Sequence, residues 1–108
     1  MKKILITTAA VLMASQSAMA ETPEYSLTLK DHKFDPETIE IPADTKVKLI
    51  VKNEDETPAE FESDDFKREK IIKGGKEATI YVGPLPAGEY KFFDEFNMDT
   101  AQGVLIVK

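Results

Sequence analysis

Alternation of apolar and polar residues predicts β-strands along most of the chain. Every second residue is apolar in 25–30, and the same period of two recurs in 47–52, 78–82 and 90–92. The last segment, 103–108, is rich in β-branched residues, as expected of a central strand. Proline and glycine, which interrupt regular structure, separate these segments. We therefore expect an all-β, two-sheet Greek-key sandwich of about eight strands.

One segment, residues 63–69, interrupts the alternation and predicts a short helical turn. Ser63 is suited to an N-cap, and Asp64 and Asp65 are suited to a first helical turn. The expected fold is thus a β-sandwich with one or two helical turns between strands.

The first 20 residues have the pattern of a cleavable export signal. Lys2 and Lys3 precede an apolar run too short to span a bilayer comfortably, and small residues lead to Ala20. We expect cleavage after Ala20, a mature single domain over 21–108, and a periplasmic location. Loss of the two lysines takes the net charge from −6 to −8.

The amino-acid composition excludes several classes of function. The chain contains no cysteine, which excludes a disulfide scaffold, a thiol nucleophile and an ordinary blue-copper site. Its acidity argues against nucleic acid as a partner, because such binding depends on lysine and arginine. No nucleophile with a neighbouring base and no phosphate-binding loop is visible, so an enzyme is the less favoured interpretation.

Carboxylates are concentrated in the middle of the chain, where seven fall within residues 54–65 without a lysine or arginine between them. A solvated acidic loop is the simpler interpretation of residues 54–56. Glu60 and Glu62 differ, because they flank Phe61 in an extended segment. Alternation places both on the face opposite the aromatic ring, where they are suited to share a cation or to face a basic partner.

A second group of candidates follows the strand at 90–93. If Tyr90 and Phe92 face the core, Asp94 does too, and a buried carboxylate there requires a partner. Asp94 is therefore a candidate metal ligand, with Glu95 in support. Capping of the next loop by Asp94 through backbone N–H groups is an equally good interpretation.

The only histidine and the only methionine after the leader complete the candidates. His32 lies in a predicted turn and is either a metal ligand or, on the favoured interpretation, an ordinary turn residue. Met98 lies in the same loop as Asp94 and is either a thioether ligand or a partly exposed packing residue.

The order of several segments resembles the cupredoxin-like family. The two most specific segments are PAEFES at 58–63 and FFDEFN at 92–97, followed by TAQG at 100–103; others are VKN at 51–53, GPL at 83–85, GEYKF at 88–92 and GVLIV at 103–107. The resemblance covers nearly all of 25–108. It is closest to small periplasmic cupredoxins that accompany high-affinity iron permeases in bacterial ferrous-iron uptake.

The resemblance also indicates what occupies the family's copper-ligand positions. The first histidine position falls near Ala59 or Glu60, the cysteine position on Asp94 and the second histidine position on Asn97. The axial methionine has no clear counterpart. Carboxylates in place of soft ligands shift the expected preference from Cu(I) towards iron, with Cu(II) still compatible.

Two functional hypotheses follow. The first is a metal-handling protein that binds iron or copper through Glu60, Asp94, Glu62, Glu95, His32 or Met98. The resemblance implies that it assists a membrane iron permease and a companion periplasmic iron-binding protein, with an auxiliary part in ferrous-iron oxidation. The second is a metal-free module whose acidic face docks a basic partner, because fold does not fix function.

Overall fold

The structure is a computed structural model that describes residues 21–108. The predicted leader and its cleavage site after residue 20 lie outside the described residues. Among residues 21–108 no helix is long and apolar enough to cross a membrane.

Nine strands and one 3-10 turn make up the described chain. The strands are β1 (Glu24–Lys30), β2 (Lys33–Asp35), β3 (Thr38–Ile41), β4 (Val47–Asn53), β5 (Ala59–Ser63), β6 (Arg68–Ile72), β7 (Glu77–Val82), β8 (Gly88–Asp94) and β9 (Gln102–Val107), and the 3-10 turn is Glu95–Asn97. The all-β prediction is confirmed, with nine strands where about eight were expected.

The strands form two sheets that face each other. The first has the order β2-β1-β4-β7 and the second the order β3-β9-β8-β5-β6. Two neighbouring pairs, β1 with β4 and β3 with β9, are parallel, whereas the other pairs are antiparallel. Parallel neighbours cannot be joined by a hairpin, so the chain crosses between the sheets, as it does in a Greek-key sandwich.

The prediction of a helical turn at residues 63–69 is wrong. Ser63 does act as a local cap, since its Oγ accepts a hydrogen bond from the Phe66 N–H at 3.1 Å. However, Lys67 has a φ of 57°, and this left-handed conformation reverses the chain instead of continuing a helix. The segment is the turn of a β5–β6 hairpin in which Ser63 pairs with Arg68.

Side chains that point inward from both sheets form one core. Three aromatic rings lie at its centre: Phe92 is 5.1 Å from Phe34 and 5.2 Å from Phe61 between ring centroids. Gly103 allows this packing, because a Cβ at that position would overlap the Phe92 ring. The core thus fixes β5 between its neighbours β8 and β6, and outward side chains of β5 and β6 form the surface described next.

Candidate metal centre

Glu60 and Glu62 project from the outer face of the five-stranded sheet. In β5 the side chains of Ala59, Phe61 and Ser63 are buried, whereas the two glutamates between them are half-buried. The predicted placement of both carboxylates opposite Phe61 is therefore confirmed.

The hairpin brings a third carboxylate, that of Glu69, to the same place. Glu69 lies on β6 directly opposite Glu62, two residues along the strand from Ile71, which is opposite Glu60. Carboxylate oxygens of the three residues lie within 4.8 Å of one another. We call Glu60, Glu62 and Glu69 the carboxylate cluster. Sequence reasoning missed Glu69 because it expected a helical turn there, although a four-residue hairpin at 64–67 would have indicated the pairing.

Hydrogen bonding, partial desolvation and mutual repulsion raise the proton affinity of this cluster. A hydrogen bond with Glu69, partial desolvation and the negative charges of Glu69, Glu62 and Glu95 raise the pKa of Glu60 to about 6. Partial desolvation, followed by the charges of Glu95, Glu69 and Asp64, also raises the pKa of Glu62. Like charges placed opposite each other on neighbouring strands destabilise a sheet, so the cluster favours a proton or another cation.

These raised pKa values predict a pH dependence of stability. The pKa of Glu60 rises from 4.5 to about 6, so the folded state binds its proton more tightly than the unfolded state does. The stabilisation is fully present below pH 4.5 and is lost as the pH rises through about 6. We expect Tm, measured without metal, to fall between pH 4.5 and 7, and to fall less in Glu60→Gln.

The control for this prediction is Glu89→Gln, which lies on β8, on the same outer face of the sheet as Glu60 but outside the cluster. It should retain the fall shown by the unsubstituted protein. An identical pH profile for the Glu60→Gln variant and the unsubstituted protein would contradict the assignment.

Asp94 lies inside the sandwich, beneath this surface. It is 0% exposed, and its Oδ1 accepts hydrogen bonds from the backbone N–H groups of Glu60 at 2.9 Å and Phe96 at 3.0 Å. Its Oδ2 accepts a hydrogen bond from Asn97 Nδ2 at 3.0 Å. Of the two interpretations left open by the sequence, these contacts are those of a cap. The inward placement predicted from alternation is confirmed.

The structure places the remaining candidates apart from the carboxylate cluster. Glu95 begins the 3-10 turn, where its exposed side chain contributes charge to the cluster. His32 is exposed in the β1–β2 turn, with Nε2 4.0 Å from Asp55 Oδ2. Met98 is exposed after the 3-10 turn and lines a cavity of about 300 Å³ with Asp64 and Phe93. Ligation of a metal by Glu95, His32, Met98 or Asp94 stays a prediction.

A type-1 copper ion, which the family resemblance implies, does not fit these residues. Such a centre requires a cysteine thiolate and two imidazoles around one metal. The chain has no cysteine and one histidine, and that histidine lies in the β1–β2 turn. The resemblance assigns the thiolate position to Asp94, both of whose oxygens already accept hydrogen bonds. Any metal bound here would have mainly oxygen ligands.

Comparison with known proteins agrees with the fold. The chain is 48% identical over 84 residues to an uncharacterized protein of Rickettsia prowazekii (strain Madrid E), a match that covers 78% of this chain and 67% of that protein. Among solved structures, auracyanin A, a blue copper protein of Chloroflexus aurantiacus, superposes with a TM-score of 0.70 at 13% identity, covering 82% of this chain and all of the other.

Two further structures are similar. The metal-binding domain of the Cu(I)-exporting P-type ATPase CopA of Streptococcus pneumoniae gives a TM-score of 0.71 at 14% identity, with 79% of this chain and 84% of that domain covered. Amicyanin of Paracoccus versutus gives 0.63 at 14% identity, with 85% and 88% covered. At these identities the likeness shows the fold alone. The cupredoxin-like domain family matches residues 3–107, and the chain therefore belongs to the cupredoxin-like domain family.

Proposed function

We propose that this chain is a metal-handling cupredoxin that binds iron or Cu(II) through carboxylate oxygens on its outer sheet face. The observation that carries the proposal is the carboxylate cluster, in which three oxygens from two strands lie within 4.8 Å of one another. The strands are held by a packed core, so the three groups stay close together despite their repulsion.

The chemistry of the cluster favours a hard cation. Oxygen donors suit iron and oxidised copper better than Cu(I), which prefers sulfur ligands. A bound cation would also neutralise the like charges of Glu62 and Glu69, which face each other across the hairpin. Water would complete the coordination, because the cluster is open to solvent on one side.

The setting of this activity is also a proposal. The leader-like segment at 1–20 supports export to the periplasm. The resemblance to cupredoxins of ferrous-iron uptake supports a role beside a membrane iron permease and a companion periplasmic iron-binding protein. In that setting the carboxylate cluster would present iron to these partners.

Titration of the chelator-treated protein tests the metal site. We expect Cu(II), and Fe(II) under anaerobic conditions, to bind and to raise Tm, since a ligand of the native state stabilises it. Glu62→Gln and Glu69→Gln should each weaken binding about tenfold or more, because each removes a charged ligand. Glu89→Gln, with the same change on the same sheet face, should bind as the unsubstituted protein does.

Two results would contradict the proposal. One is the absence of any binding by Cu(II) or Fe(II). The other is equal binding by Glu62→Gln, Glu69→Gln and the Glu89→Gln control, which would place the metal elsewhere.

A second candidate function, docking of a basic partner, is favoured by apolar groups next to the cluster. Ile71 is 58% exposed and pairs with Glu60 across the hairpin. Phe96, 51% exposed, lies in the 3-10 turn that Asp94 links to β5. Exposed apolar side chains beside carboxylates suit a partner with both basic and apolar residues. Salt-sensitive binding of a partner, with no metal-dependent rise in Tm, would favour this function.

A further inference from the structure

The carboxylate of Asp94 links three parts of the chain that are separate in sequence. It joins the backbone of β5 at Glu60, the backbone of the 3-10 turn at Phe96, and the side chain of Asn97 at the end of that turn. A fourth hydrogen bond, from the Asp94 N–H to the Ala101 carbonyl at 3.0 Å, closes the loop that leads into β9.

The same positions are those that the family resemblance assigns to metal ligands. On that resemblance the first histidine position falls near Ala59 or Glu60, the cysteine position on Asp94 and the second histidine position on Asn97. A metal held by these three would tie β5 to the β8–β9 connection. In this chain a hydrogen-bonded carboxylate makes that connection.

We infer that Asp94 replaces the metal ion as the internal link at this end of the sandwich. A carboxylate has about four acceptor positions, and three of them are filled by protein donors. Hydrogen bonds to an ionised acceptor are roughly twice as strong as neutral ones, which offsets burial of the charge without a lysine or arginine. This end of the fold is therefore ordered without metal.

This inference does not rest on the proposed function, because it concerns the interior and not the carboxylate cluster. It predicts that metal bound by the protein lies outside the Asp94 network. Removal of metal should leave the 3-10 turn and the start of β5 ordered. Removal of the Asp94 carboxylate should disorder both segments.

Hydrogen exchange, quenched and read amide by amide by mass spectrometry, tests the link directly in the chelator-treated protein, because paramagnetic Cu(II) would broaden the NMR signals of nearby amides. We expect the amides of Glu60 and Phe96 to be protected without metal, and addition of Cu(II) to leave their protection unchanged. If both amides exchange freely in the metal-free protein and become protected only when Cu(II) is added, the inference is overturned.

Substitutions provide a second readout. Asp94→Ala leaves two backbone N–H groups and an amide without their acceptor, so we expect Tm to fall by about 10 °C or more. Asn97→Ala removes one of the three bonds and should lower Tm less, with the Glu60 amide still protected. Asp99→Ala, on the exposed part of the same loop, is the matched control and should change neither readout.

The outcomes separate this inference from the proposed function. If Cu(II) raises Tm of the unsubstituted protein, and Asp94→Ala abolishes the rise while Glu62→Gln retains it, Asp94 is a metal ligand and the inference fails. If no metal binds at all but the Glu60 and Phe96 amides are protected, the proposed function fails and the inference stands. If Asp94→Ala does not fold, the exchange measurements on the unsubstituted protein and on Asn97→Ala still decide whether the inference stands.

Discussion

Phe92→Ala is expected to destabilise the fold by about 4 kcal/mol, which corresponds to a fall in Tm of about 20 °C. Phe92 is 1% exposed and contacts Phe34 and Phe61 at the centre of the core. Removal of its ring leaves a cavity that the rigid sheets cannot close. The absence of a Cβ at Gly103, where one would overlap the ring, leaves that side of the cavity unfilled as well.

Urea unfolding of the unsubstituted protein and of Phe92→Ala would measure this effect. An unchanged slope of the unfolding free energy against urea concentration would show that only stability has altered. Phe96→Ala is the matched control, because the same side chain is 51% exposed there. It should cost less than about 1 kcal/mol. A similarly small cost for Phe92→Ala would mean that the ring is not a central packing element.

Asn53→Ala is expected to cost about 3 kcal/mol, through lost hydrogen bonds and not through lost apolar contact. Asn53 is 1% exposed at the end of β4, and its Nδ2 donates to the carbonyls of Thr57 at 2.8 Å and Ile72 at 3.0 Å. Its Oδ1 accepts a hydrogen bond from the Asp55 N–H at 3.0 Å. Alanine would leave all three backbone groups without these partners.

The effect of Asn53→Ala should extend to the β1–β2 turn. Asp55, positioned by Asn53, accepts hydrogen bonds from the N–H groups of Asp31 at 2.7 Å and His32 at 3.0 Å. Both turn residues have positive φ, 52° and 60°, which is an uncommon conformation that needs such support. We therefore expect faster hydrogen exchange at these two amides in the variant.

Lys52→Ala, an exposed neighbour on β4, is the control for Asn53→Ala. It should change stability by no more than about 0.5 kcal/mol and leave the turn amides protected. Equal losses in the two variants would show that β4 responds to any substitution, and not to the loss of the Asn53 hydrogen bonds.

The sequence predicted the surface positions of β5 well but not their neighbours. Period-two alternation is a property of a single strand, so it was sufficient to place Glu60 and Glu62 on one face. The identity of the facing residue depends on the register between strands. A turn that reverses at Lys67 determines that register, and neither propensity nor capping pattern favoured it over a helical turn.

For Asp94, too, the sequence predicted the direction of the side chain but not its neighbours. Alternation along β8 was enough to predict that its side chain faces inward. Because an unpaired buried carboxylate is costly, the sequence also predicted that Asp94 must have partners. Its donors, Glu60 and Phe96, come from a strand 34 residues away and from the turn that follows. Only the pairing of β5 with β8 within the five-stranded sheet brings them to one carboxylate, so the sequence left ligand and cap equally open.

The sequence by itself determined that this protein is an acidic β-sandwich without thiolate chemistry, because strand period and composition are local properties of the chain. The tertiary structure decided which carboxylates lie close together on the surface and which one is buried. The physical reason is that strand register and sheet packing bring residues together across long separations, and those proximities raise the pKa of Glu60 and supply the hydrogen bonds of Asp94.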